Sequence, residues 1–138
     1  MLSIRLFAIT FLFFVSVVSA QTYVQLNGLS VHSKPGYNGG NYGIGIEHSV
    51  TKEWDIAAGG YYNSEYRFSS YAYGRRSFYS YGAWDLGIGL GLVTGYSTSP
   101  VLPMAFPEVC YDYLCGLVLP PVSSSPAVIG FHLKVPLN

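Results

Sequence analysis

Charge is the scarcest thing in this sequence. Only 10% of the 138 residues are charged, seven basic and seven acidic, so the formal net charge is zero; soluble domains usually carry about 25%. No basic run is present, which removes the electrostatic footprint that nucleic-acid binding needs. Helical periodicity is also missing from most of the chain. Cysteine is limited to Cys110 and Cys115, in "VCYDYLC", and none of the three histidines is close to them in sequence. CxxxxC matches no zinc-ligand spacing, so no metal is expected, and no cofactor. Beyond the first twenty residues no apolar run is long enough for a membrane-spanning helix.

Hydrophobic residues, by contrast, make up half of the chain, 13 tyrosines among them, and the sequence holds 16 glycines besides. The start of the chain accounts for part of this. Arg5 supplies a short positive region, Leu6 to Val18 form an apolar core, and Val18-Ser19-Ala20 is a small-residue cleavage site before Gln21. Residues 1–20 read as a secretory signal peptide, leaving residues 21–138 as one domain. Export places Cys110 and Cys115 in an oxidising compartment, which permits a disulfide between them; two buried reduced thiols are the alternative.

The dominant pattern in the exported part is alternation. In "WDLGIGLGLVTGY", Leu86, Ile88, Leu90 and Leu92 fall on one face of a strand, while Gly87, Gly89 and Gly91 fall on the other. "YGIGIEHSV" repeats it, with Ile44 and Ile46 opposite Gly43, Gly45 and Glu47. A soluble sandwich would set its large residues against polar ones. Aliphatic residues opposite glycine fit an outward lipid-facing wall around a lumen. Turn-forming residues divide the chain into strands at 22–33, 42–50, 54–63, 67–76, 82–97, 101–111, 114–120 and 127–136. Their number and length predict an all-β fold, an eight-stranded antiparallel transmembrane β-barrel of the bacterial outer membrane. Strand alternation brings His32 and Ser64 out at the same, extracellular end. A serine beside a histidine is a candidate for proton-transfer chemistry, although a serine at a strand end is also ordinary turn chemistry.

Several segments resemble the outer-membrane lipid A palmitoyltransferases of the PagP type. "LSVHS" is similar to that family's first strand, which ends in the catalytic histidine, here His32. "YNGGNYGIGIEHS" resembles its tyrosine-asparagine loop and glycine-rich second strand. "WDIAAGGYYNSEYR" is similar to its third strand, and Asn63-Ser64 stands where the family has Asp-Ser. "LGIGLGLVTGYSTSPVLPMAFPEV" resembles the fifth and sixth strands, including the spacing of Pro103 and Pro107, and "LVLPP" resembles the end of the seventh.

The resemblance implies acyl transfer from a membrane phospholipid to lipid A, with His32 as base, Ser64 as its polar partner and Asn63 orienting them. It also implies an acyl chain in the lumen beside Gly87, Gly89 and Gly91. Lipid would enter laterally where Pro100, Pro103, Pro120 and Pro121 interrupt strand pairing, since proline lacks the N–H that a ladder needs; simple extracellular turns are the alternative for these prolines. A membrane-embedded monomer is expected. The alternatives are a non-catalytic barrel with a structural or surface-interaction role, and a lipid hydrolase using the same residues.

Overall fold

A computed structural model of the chain describes residues 20–121 and 125–137. The expected signal segment, 1–20, lies outside the described residues apart from Ala20. Eight strands follow in chain order: β1 (Thr22–His32), β2 (Gly40–Ser49), β3 (Trp54–Tyr62), β4 (Phe68–Tyr81), β5 (Trp84–Tyr96), β6 (Ser99–Tyr111), β7 (Leu114–Leu119) and β8 (Val128–Pro136). Each pairs antiparallel with its sequence neighbours, and β8 returns to β1, closing the sheet into a barrel. The eight-stranded all-β barrel expected from the alternation is therefore present.

Burial is inverted relative to a soluble domain. The side chains of Gln25, Glu47, Arg75, Glu108, His132 and Lys134 are buried, while Ile44, Ile46, Ile56, Leu90 and Leu92 are exposed. An exposed aliphatic belt around a polar interior is the informative departure from the usual partition. Aromatic side chains stand outside the belt at both ends. Tyr42, Tyr62, Tyr66 and Phe68 are exposed at one end, and Trp54, Trp84, Tyr81 and Tyr111 at the other. Short turns join the strands at the second end: Val50 to Glu53, Gly82-Ala83 and Asp112-Tyr113. In the first of these, Thr51 Oγ1 accepts the N–H groups of Glu53 and Trp54. The longer connections 33–39 and 63–67 lie at the first end, together with the two-residue turn at 97–98. We call these the turn end and the loop end.

A β-bulge in β1 sets the direction of His32. Gln25 and Asn27 face inward while Leu26 is exposed, so strict alternation would send His32 outward with Leu26. The pairing of β1 slips around Gly28 on both sides, between Asn27 and Leu29 against β2 and between Asn27 and Ser30 against β8. One extra residue in a strand exchanges its faces beyond that point. Leu29 and Val31 are consequently exposed, while Ser30 and His32 line the lumen.

β4 is longer than the alternation predicted, continuing past 76 to Tyr81. Arg75 and Arg76 do not end the strand because each has its own environment. Arg75 turns inward to carboxylates, and Arg76 stays exposed beside Glu53 and over the Trp54 ring. The chain reverses instead at Gly82, whose φ of +58° favours glycine.

The turn-end half of the lumen is filled by paired charges. Arg75 contacts Glu108 Oε1 and Asp85 Oδ2 at 2.6 Å each, and Asp55 Oδ2 at 3.6 Å. Lys134 Nζ donates to Glu47 Oε1 at 2.7 Å and to Glu108 Oε1 at 3.2 Å. Gln25 Nε2 donates to Glu47 Oε2 and to the Tyr73 hydroxyl. Burying so many charges is tolerable only because nearly all are paired.

Candidate functional site

Above this charged plug the lumen opens into a cavity of about 130 Å³, whose lining includes His32 and Ser64 at the loop end. The middle of its wall is largely apolar, with Met104, Phe106, Leu117 and Leu119, faced by the rings of Tyr61 and Tyr71. Tyr61 and Tyr96 share a hydroxyl–hydroxyl hydrogen bond of 2.7 Å across it. His32 is held by ring stacking on Tyr37, with centroids 5.3 Å apart and planes within 17°. Its Nε2 is buried and has no hydrogen-bond partner among the described residues. An imidazole is the side chain most often used to take a proton from a bound group. Ser30 and Asn41, which hydrogen-bond to one another, complete the polar rim.

Asn63 does something other than orient His32. All its side-chain capacity is spent within the β3–β4 turn and its neighbour. Oδ1 accepts the N–H groups of Glu65 at 2.8 Å and Arg67 at 3.0 Å. Nδ2 donates to Ser69 Oγ at 2.8 Å and to the Gly95 carbonyl at 2.9 Å. Ser69 Oγ donates onward to the Thr94 carbonyl at 2.5 Å, so it must accept from Asn63. An amide supplies two donors and an acceptor oxygen, and every one is used. Asn63 fixes the turn that carries Ser64.

The residue that links the two halves of the site is Asn38, the asparagine of the tyrosine-asparagine loop, to which the sequence alone assigned no role. Its backbone N–H donates to the Ser64 carbonyl at 2.9 Å. Its side-chain Nδ2 donates to the Asn63 carbonyl at 3.2 Å and to the Gly40 carbonyl at 2.9 Å, while Oδ1 accepts the Gly40 N–H. Adjacent residues thus do both jobs: Tyr37 braces His32 and Asn38 fastens the loop of Ser64. The available signal was an asparagine in a glycine-rich loop, "YNGGN", a residue type that bonds readily to nearby backbone.

Gly87, Gly89 and Gly91 do face inward, but the barrel's own side chains occupy the space beside them. A Cβ on Gly87 would lie 2.6 Å from the Arg75 guanidinium, and one on Gly89 would lie 2.3 Å from the Phe106 ring. Gly91 lies against the ladder and Cβ of Tyr73. None of the three lines the cavity. Their absent side chains let large residues from β4 and β6 lie flat within a narrow barrel.

Pro100 and Pro103 are exposed on β6, and Pro120 and Pro121 follow β7 at the loop end. On its β5 side, β6 is paired from Tyr111 to Ser99. On its β7 side the ladder runs only from Tyr111↔Leu114 to Glu108↔Leu117 and stops before Pro107. Among the described residues, the loop-end half of β6 therefore has an open edge toward β7. Met104 from β6 and Leu117 and Leu119 from β7 border both this gap and the cavity. At the turn end, Cys110 and Cys115 are directly opposite in the same ladder and are joined by a disulfide.

No protein-family model matches the chain, and neither does any curated protein.

Proposed function

We propose that this protein is a bacterial outer-membrane barrel that transfers an acyl chain from a phospholipid to lipid A. The observation that carries the proposal is that His32, whose buried Nε2 has no hydrogen-bond partner among the described residues, lines a lumen cavity that Ser64 also lines. In this reading the exposed aliphatic belt contacts lipid and the two aromatic rings lie at its interfaces. The short turns then face the periplasm and the long loops the outside. Lipid enters through the open edge between β6 and β7, where Pro103 and Pro107 cannot donate to a ladder.

The chemistry needs one base and one stabiliser. His32 Nε2 takes the proton of a lipid A hydroxyl as that oxygen attacks the ester carbonyl of the phospholipid. The ester C–O bond then breaks, and the proton passes to the departing lysophospholipid oxygen. In this reading Ser64 donates its hydroxyl to the oxygen that becomes negative in between. Mass spectrometry of lipid A from cells with and without the protein tests this: one added acyl chain, dependent on His32, is expected.

The engagement of Asn63 in the turn favours a second reading, a barrel without catalysis. No carboxylate or free amide supports His32 from position 63; among the described residues its ring stacks on Tyr37. Lipid A unchanged by expression of the folded protein would select that reading.

A further inference from the structure

The outer wall of the barrel is not evenly covered. Across β2 to β5 one row of paired residues reads Ile46, Ala58, Ala72 and Leu92, and the next reads His48, Ile56, Gly74 and Leu90. Large side chains on β2 and β5 therefore stand on either side of small ones, and an open groove of about 630 Å³ runs between them. Toward the loop end the Phe68 ring lies over Gly60, where a Cβ would come within 2.6 Å of it, and this closes the groove. Toward the turn end the next pair on the same face is Trp54 and Arg76. The Arg76 guanidinium lies over the Trp54 ring, 5.8 Å from its centroid. Glu53, just before Trp54, holds its Oε2 3.4 Å from Arg76 Nη2, with the Arg76 and Glu53 side chains 58% and 62% exposed. That separation is long for a charge-assisted hydrogen bond, normally about 2.7–2.9 Å, and exposed pairs of this kind hold together weakly. Both groups are within reach of a ligand on the wall.

We propose that this groove binds one phospholipid with a primary-amine headgroup, its phosphate on Arg76, its ammonium on Glu53 and one acyl chain along the groove. Such a head carries one charge of each sign, as does the pair that receives it. The planar guanidinium offers a phosphate two parallel donors, and the Glu53 carboxylate accepts an ammonium N–H. A choline head keeps the phosphate but has no N–H to give. Depth agrees with the charge match. From Trp54 to Gly60 the chain of β3 advances six residues, roughly 20 Å. With strands tilted by about 35–45°, this spans roughly 15 Å along the membrane normal, half of a hydrocarbon core about 30 Å thick. The head then lies level with the turn-end aromatic residues, and the chain crosses one leaflet. The small side chains of Ala58, Ala72 and Gly74 let that chain approach the backbone and gain contacts on three sides. The inference needs the aliphatic belt to lie in lipid, and it is independent of acyl transfer.

The test uses the full chain after export, refolded in nanodiscs of unlabelled phosphatidylcholine. Trp84→Phe leaves Trp54 as the sole tryptophan, and its fluorescence is quenched by added lipid with brominated acyl chains. Brominated phosphatidylethanolamine is expected to reach half-maximal quenching at about a fivefold lower mole fraction than brominated phosphatidylcholine. Glu53→Gln should remove that preference, and so should Ala72→Leu, which fills the groove from its base. Both side chains face outward, so the folded band on an unboiled gel should persist in each variant. Equal quenching by the two lipids in the parent would overturn the inference, as would a preference that both variants retain. A Trp54 that neither lipid quenches, with two copies in each nanodisc, would give the groove to a second copy of the chain and overturn it too. A protein that leaves lipid A unchanged can still show the preference, and an active transferase can lack it, so the two readings fail separately.

Discussion

Asn38 donates its backbone N–H to the carbonyl of Ser64 at 2.9 Å, so the loop leaving β1 is fastened to the loop leaving β3. The same loop stacks Tyr37 on His32. Two residues far apart in sequence are thereby held at one cavity mouth, through contacts that neither makes alone.

Asn38→Ala keeps the backbone bond but deletes the side-chain bonds to Asn63 and Gly40. A loss of about 1–3 kcal/mol is expected, most of it local to the loops. Acyl transfer should fall by at least tenfold while the folded band on an unboiled gel persists. Unaltered activity would show that the fastening is dispensable.

Asn63→Asp is expected to weaken the protein. A carboxylate oxygen would replace Nδ2 against the Gly95 carbonyl, turning a 2.9 Å hydrogen bond into a repulsion in a fully buried position. The lost donor and the stranded charge together cost on the order of 2–4 kcal/mol. Urea unfolding from lipid vesicles measures this directly. Stability equal to the parent would contradict the assignment of Asn63 as the turn's organiser.

Arg75→Met removes the cation that Glu108, Asp85 and Asp55 surround. Breaking a buried pair by deleting one partner costs about 3–5 kcal/mol. The variant should unfold at much lower urea, and Arg75→Met with Glu108→Gln should recover part of the loss. No recovery in the double variant would mean that the two side chains are not coupled.

The disulfide joins residues directly opposite in the β6–β7 ladder and closes a loop of sequence separation 5. Chain-entropy reasoning gives about 2 kcal/mol for so small a loop. Thiol reagents should fail to label the unreduced, unfolded protein and should label both cysteines after reduction. The paired variant Cys110→Ala/Cys115→Ala should still fold, with its unfolding midpoint lowered. Free thiols before reduction would remove the crosslink from the account.

What could be read in the sequence was whatever depends on near neighbours. Leu86, Ile88, Leu90 and Leu92 against three glycines declare a strand and its two faces, because alternation is a property of one segment. The turn at Thr51 to Glu53 and the hairpin between the cysteines are equally local. What escaped depended on side chains from elsewhere. Gly89 looks like empty lumen until Phe106 arrives from β6, and Asn63 looks like a site residue until Gly95 and Ser69 claim its amide. The bulge at Gly28 was hidden for a related reason: one glycine among polar and apolar residues does not say which register its partners will take. The buried pair of Glu108 and His132 was illegible because β6 and β8 meet only across β7 and the lumen.

The central claim is that His32 acts as the base for acyl transfer inside a lipid-facing barrel. Its most direct test is the purified, refolded protein mixed with phospholipid carrying a labelled acyl chain and with lipid A as acceptor. The account predicts label in lipid A in amounts matched by lysophospholipid, and a loss of at least a hundredfold in His32→Ala with the barrel still folded. Label transfer that His32→Ala leaves untouched, or no transfer by the folded parent protein, would contradict it.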